Sequence, residues 1–386
     1  MKQETQVALT KRIFKLLEVR TSELAPDPYL NPVSSYTDPD QFVEEHQRLF
    51  LEHPQVFTLS CRIPNIGDYV SHDLNGVPIV VIRDEEGHAR AFLNVCRHRG
   101  ARLVEGCGKT GRNGLTCPYH SWTYDLQGRL RAMVPPFGFE GLAKEDHGLI
   151  ALPCVEKDGL IWIRPTIGQM ADPDDYLQGL GPEIGSYGFG NYFHFETRML
   201  SRSINWKMVI DTFLETWHVS TLHKETVAPI FIPNASNVFD AFGEHGRMLI
   251  PRRTIVSQKD EPEEKWDLLK NSAIIYLIFP HTLLNWQGDH LEIWRPFPGD
   301  RVDHVKIEVS FYVPEDPITE SAQRYWRKNM DLLMQTVNEE DFPICDNIQK
   351  GASSGAQQHF TYGRNEPALG HYHRFLARAL GQSAID

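Results

Sequence analysis

Two short stretches constrain this chain more than any other feature: Cys96-Arg97-His98, then eighteen residues, then Cys117-Pro118-Tyr119-His120. Each supplies one thiolate and one imidazole. A fold that carries them must bring two loop tips together, so that both cysteines can hold one iron of a [2Fe–2S] cluster and both histidines the other. Gly100, Gly106, Gly108, Gly111 and Gly114 are expected to give the intervening chain the positive φ angles and tight turns that backbone N–H donation to cluster sulfurs needs. Replacing two thiolates by neutral imidazoles removes negative charge and raises the cluster's potential, which makes the loops an electron inlet. A structural zinc site with two cysteines and two histidines uses the same ligand types. It is the weaker reading, because zinc ligands on one turn are usually about two to four residues apart and Cys-x-His has a single spacer. Cys61, Cys107, Cys154 and Cys345 read as small buried or half-buried thiols; six scattered cysteines do not make a disulfide scaffold.

The texture around these loops is β-rich. Runs at 77–82, 89–95 and 160–163 alternate with turn clusters such as Asp84-Glu85-Glu86-Gly87 and Asp158-Gly159, which predicts a compact all-β module over 55–165. Upstream, 9–18 and 39–51 read as helices joined by a Pro-rich stretch at 25–36, giving a helical segment, 1–54, that packs on the following large domain. Downstream, the Pro/Gly/Asp-rich passage 165–190 reads as a linker and 205–222 as a helix. Strands are expected at 273–280, 282–287, 290–294 and 302–313, with Gly288-Asp289 as a hairpin turn, and a long helix at 317–338. The fold class is therefore α+β: the all-β module, then a larger domain, 166–386, with an antiparallel sheet and helices.

Composition narrows the partners. The 39 basic and 51 acidic residues leave a net charge of −12, which disfavours nucleic acid. The polar start and the amphipathic stretch 7–19 predict neither signal peptide nor membrane span. A cytoplasmic location follows as the expectation, since a reducing compartment keeps thiols free to bind metal. There is no Gly-x-Gly-x-x-Gly fingerprint after a strand, so this chain is expected to bind neither NAD nor flavin.

The second constellation separates an enzyme from an electron carrier. Glu215 lies three residues before His218, and His223 five residues after it. On a regular helix Glu215 and His218 share a face. A five-residue step does not stack, so His223 is expected past a helix end or bulge that turns its ring back toward His218. Two imidazoles and one carboxylate would make the triad that binds Fe(II) on one face and leaves the other positions for O2 and substrate. A distant acid could complete it. A lone histidine here would be better read as an ordinary polar residue, but the cluster motif upstream removes that preference. Ile275, Leu277, Leu284 and Trp286 are candidate pocket walls, or equally core.

Cys96-Arg97-His98-Arg99-Gly100 and Cys117-Pro118-Tyr119-His120-Ser121-Trp122 resemble the Rieske motif of ring-hydroxylating oxygenases, flanking residues included. The chain is similar to catalytic (alpha) subunits of that family over roughly residues 55–365. The resemblance implies a Rieske domain at 55–165 and a helix-grip-like catalytic domain at 166–386. It implies one [2Fe–2S] cluster and one Fe(2+) per subunit, and electrons from NAD(P)H through a separate ferredoxin or reductase. A head-to-tail homotrimer, with or without a beta subunit, is implied too, in which the catalytic Glu215 links the cluster of one subunit to the iron of the next. The family takes its third iron ligand from an acidic pair ahead of a Gln-x-Gly stretch; Glu339-Glu340-Asp341 precedes Ile348-Gln349-Lys350-Gly351, so Asp341 fits, with Asp346 as the alternative. Trp217 stands where most members have Tyr. Glu215 stands where ring dihydroxylases usually carry Asp, and there oxygenases of quaternary amines such as carnitine are more similar. The first substrate expectation is an apolar, aromatic small molecule, mono- or dioxygenated. The second is a quaternary amine gripped by aromatics such as Trp217, or oxidative N- or O-demethylation. A Rieske electron carrier or a zinc module is the remote alternative.

Overall fold

The computed structural model describes residues 1–111, 114–232 and 234–382. They form two compact units: Phe50–Tyr176 with Gly188–Asn191, and Met1–Leu49 with Leu177–Tyr187 and everything described from Tyr192 onward. The stretch read as a linker is thus shared between both, and carries short helices at Pro173–Tyr176 and Gly181–Gly185.

The smaller unit is all-β apart from short helical turns. Its largest sheet runs, in spatial order, Ala151–Leu152, Ala89–Leu93, Val77–Arg83, Asp68–Leu74 and Gly106–Lys109. Asn75 and Gly76 join two of these strands with φ of 54° and 82°, the two-residue turn whose twist suits an antiparallel hairpin. A three-stranded sheet of Leu115–Thr116, Thr123–Tyr124 and Leu130–Ala132 carries the second ligand loop. Val80, Ile82, Phe92, Trp122 and Tyr124 form one apolar cluster with Cys96 and Cys117, so both thiols are anchored in the core. Of the five glycines expected at positive φ, Gly100, Gly106 and Gly114 adopt it; Gly108 and Gly111 do not. Gly108 sits inside strand Gly106–Lys109, where an extended backbone replaces the expected turn.

In the larger unit a seven-stranded antiparallel sheet runs Phe193–Arg202, Val305–Val313, Leu291–Pro298, Thr282–Trp286, Ser272–Ile278, His245–Pro251 and Val238–Phe242. Its three middle strands are buried on both faces, which explains their near-continuous apolar runs. Gly288, with φ of 92°, turns the expected hairpin. The N-terminal helices belong to this unit: Lys207 Nζ is buried against Glu45, 2.6 and 2.7 Å from its two oxygens, and Trp206 Nε1 donates to the same carboxylate at 2.8 Å. Removing one partner of so buried a pair costs about 3–5 kcal/mol.

Two helices differ from the sequence reading, each for a local reason. The single helix expected over 205–222 is two, Trp206–Phe213 and Val219–Leu222. Between them Glu215 folds back and accepts the backbone N–H groups of Trp217 and His218, which takes those donors from the helical ladder. The long helix ends at Thr336 as a regular α-helix but continues through a π-turn, Val337–Asp341, into Phe342–Ser353. Pro343 is the cause we assign: its ring cannot sit over the carbonyl four residues back in a regular helix, and a wider turn relieves the clash.

Candidate metal centres

The two cysteine–histidine loops share one backbone design. Cys96 N–H donates to Ala101 O and Gly100 N–H to Cys96 O; Cys117 N–H donates to Trp122 O and Ser121 N–H to Cys117 O. The fifth residue of each loop, Gly100 or Ser121, has a left-handed φ, 79° or 58°. The loops face each other: the rings of His98 and His120 lie 4.7 Å apart, with His98 stacked on Trp122 at 4.9 Å. Tyr124 Oη accepts Arg97 N–H at 3.0 Å and touches Cys96 Sγ at 3.4 Å. Nothing in the sequence reading assigned Trp122 or Tyr124 a supporting part.

Two observations test the group these residues would hold. The Nδ1 atoms of His98 and His120 are buried without a hydrogen-bond partner, the state of a nitrogen awaiting a metal. No three donors of Cys96, His98, Cys117 and His120 lie within 4.8 Å of one another. A tetrahedral zinc ion would bring all of them to roughly 3.3–3.8 Å, given bonds near 2.0–2.3 Å. The wider spacing suits a cluster with its thiolates on one iron and its imidazoles on the other.

In the larger unit His218, His223 and Asp341 each offer a ligand atom within 4.8 Å of the others. Asp341 Oδ1 is 3.0 Å from His223 Nε2 and 3.6 Å from His218 Nε2. Asp346 is not part of this group. His218 begins, and His223 follows, the four-residue helix Val219–Leu222, so the expected turn-back of His223 is present. The far nitrogens are also committed: His218 Nδ1 contacts Glu215 and His223 Nδ1 contacts Glu340, which also accepts Thr226 Oγ1 at 2.8 Å. Each carboxylate fixes the Nδ1–H tautomer and leaves an Nε2 lone pair facing Asp341. Burial opposes charge on His223, yet Asp341 and Glu340 raise its pKa above the ordinary value. Two imidazole nitrogens beside a carboxylate oxygen suit a divalent cation. Glu340 was visible only as part of an acidic run, and Thr226 had no sequence signal.

A cavity of about 120 Å³ opens on the three donors. Phe213, Phe231 and Ile275 line it, as do Asn285 and Gln287. Of the four wall candidates only Ile275 is among its lining residues. Trp286 points to the opposite sheet face from Asn285 and Gln287 and packs on Tyr187; Leu277 and Leu284 are core. Trp217 is not among the lining residues either; its indole N–H donates to Asn365 O.

Residues 54–138 match the model of the Rieske [2Fe–2S] domain, and residues 189–382 match that of the ring hydroxylating alpha subunit, catalytic domain. The chain belongs to the Rieske oxygenase alpha subunits. It is accordingly an O2-using oxidoreductase with a [2Fe–2S] cluster and a mononuclear iron, and as such a subunit it works with a reductase or ferredoxin and within a multimer. Among curated Rieske oxygenases, the glycine betaine monooxygenase oxygenase subunit of Chromohalobacter salexigens is 34% identical over 86% of this chain and 81% of its own length. The choline monooxygenase of Beta vulgaris is 26% identical over 93% and 79%. The solved structure of the quaternary ammonium Rieske monooxygenase CntA superposes with a TM-score of 0.79 at 20% identity, covering 92% of this chain and 96% of that one, a likeness of fold.

Proposed function

We propose that this oxygenase oxidises a C–H bond next to the nitrogen of a small quaternary ammonium compound, with His218, His223 and Asp341 holding the iron and Cys96, His98, Cys117 and His120 the cluster. The observation that carries the choice of substrate is the cavity at the three donors. Its volume is about 120 Å³, and its walls combine apolar side chains, among them Phe213, Phe231 and Ile275, with the polar Thr212, Glu215, Asn285 and Gln287. A trimethylammonium group, with a charge buried under methyls, suits walls that join the aromatic Phe213 and Phe231 to carboxylate oxygens. Of the two substrate classes the sequence left open, this is the one on which the choline and glycine betaine relatives act.

Iron in this triad would supply O2 activation. The chain's own residues do the rest. Glu215 and Glu340 hold the ligand rings by Nδ1; the apolar part of the walls keeps water from the reacting carbon; Glu215, on the side of His218 away from Asp341, would in this reading receive a cluster histidine from a neighbouring subunit. That last role supports the head-to-tail homotrimer, a heterologous contact that closes into a ring. A cytoplasmic setting is part of this reading, in keeping with the free thiols; among the described residues no helix is long and apolar enough to cross a membrane.

The test is a panel of quaternary amines and aromatics assayed with a surrogate reductase for substrate-dependent NADH and O2 consumption. Coupled turnover of a quaternary amine with release of an aldehyde is expected. Coupled turnover confined to the aromatics would overturn the substrate assignment.

A further inference from the structure

Among the described residues, a half-buried arginine with no carboxylate in ion-pair contact lies one side chain from the cavity at His218, His223 and Asp341. Arg252 follows strand His245–Pro251, its guanidinium over the Phe231 ring at 5.4 Å from the centroid, and it donates from Nη2 to Gln287 O. Its Nε is buried with no hydrogen-bond partner. The fully buried arginines Arg83, Arg247 and Arg295 each have an acid at hand, Glu156, Glu183 and Glu308 in turn. The acids nearest Arg252 are already engaged. Asp289 accepts from His290 Nδ1 at 2.6 Å and Tyr325 Oη at 2.7 Å; Glu292 accepts from Asn285 Nδ2 at 2.7 Å and Trp294 Nε1 at 3.2 Å. Burial lowers the pKa of Arg252, with Asp289, Tyr325 and Glu292 opposing, so the site lacks a matching anion.

Position gives this a use. Phe231 and Gln287, the two residues the guanidinium touches, also line the cavity at His218, His223 and Asp341. Arg252 itself lines an adjoining cavity of about 400 Å³ that shares Phe231 and Gln287 with the first. A molecule whose reacting carbon sits at the three donors and that continues past Phe231 meets Arg252. We propose that Arg252 is a specificity residue that binds the carboxylate of a zwitterionic quaternary ammonium substrate, through the guanidinium N–H groups not used by Gln287. The inference rests on the quaternary ammonium reading and sharpens it: a zwitterion such as glycine betaine is accepted, and a simple cation such as choline is disfavoured by like charge.

The experiment compares wild type, Arg252→Gln and Arg252→Lys on glycine betaine and on choline, with steady-state kinetics, calorimetric binding of glycine betaine, iron content and the cluster's EPR signal. Wild type should favour glycine betaine. Arg252→Gln should raise its KM and Kd at least about tenfold, about 1.4 kcal/mol, with little change in kcat, and should not weaken choline. Arg252→Lys should recover part of the loss. Unchanged glycine betaine binding in Arg252→Gln overturns the proposal, as does equal loss on both substrates together with loss of iron, which would mark Arg252 as structural. A wild type that oxidises choline but not glycine betaine overturns this inference alone; one that oxidises no quaternary amine overturns the reading beneath it as well.

Discussion

His218 and His223, in the site proposed for the iron, each give one nitrogen to a supporting carboxylate and the other to the space beside Asp341. The acid on the Nε2 side and the acids on the Nδ1 side should therefore fail differently. Asp341→Ala should remove the mononuclear iron and all oxygenation while the cluster keeps its colour and EPR signal; Asp346→Ala should keep the iron. Metal analysis of the two variants decides between these acids. Glu215→Gln keeps the shape of the side chain and leaves an amide oxygen for His218. It should retain both metals and a reducible cluster, yet slow substrate-dependent reoxidation of the reduced cluster at least about 100-fold, the size of other single electrostatic contacts to reacting groups. Rapid reoxidation in a fully metallated Gln variant would show that electrons do not need this carboxylate, and early loss of iron would reduce Glu215 to a support for His218.

Among the elements, the π-turn Val337–Asp341 decides the geometry. It lets two consecutive side chains, Glu340 and Asp341, reach opposite nitrogens of one imidazole, His223, in the middle of an otherwise continuous helix. Glu340→Ala should weaken iron binding about 10–100-fold without unfolding the unit, because it removes the acceptor that orients His223 and leaves the three ligands in place. Iron titration of the apoprotein, alongside circular dichroism, reads both halves of that statement. Pro343 is tied to the same turn. Pro343→Ala permits a regular helix there, and the expected outcome is weaker iron binding in a protein that unfolds no more readily than wild type; unaltered iron affinity would show that the turn does not depend on the proline.

For the whole molecule the metal content is the decisive quantity. The purified protein should be brown, carry two irons in acid-labile-sulfide form and one more outside it, and when reduced give the EPR signature of mixed Cys/His ligation. A colourless, zinc-loaded protein would contradict the cluster geometry described for Cys96, His98, Cys117 and His120. Mild chelation should strip the single iron first, since its three protein ligands leave open positions, and should leave the cluster behind its buried thiols.

How much of this was legible beforehand follows from what each feature depends on. The cluster loops were readable because ligand identity, spacing and turn residues all lie within a few positions along the chain, and the near-continuous apolar strands at 272–298 were readable because burial on both faces writes itself into local pattern. His218 and His223 were readable in the same way, as was the bend between them. Asp341 came only through resemblance, since it lies 118 positions beyond His223 and its role exists only where two helices meet. Glu340 was legible only as part of an acidic run, and Thr226, Tyr124 and Arg252 were not legible at all. Asn285 and Gln287 reach the cavity while Trp286 does not, because the alternation of a strand puts neighbours on opposite faces, and which face meets the metal is set by sheet register and by the helices laid on it. The sequence by itself determined which atoms can bind iron; the tertiary structure decided which carboxylates hold them in place and which cation is left without one, because those are contacts between segments that no local rule connects.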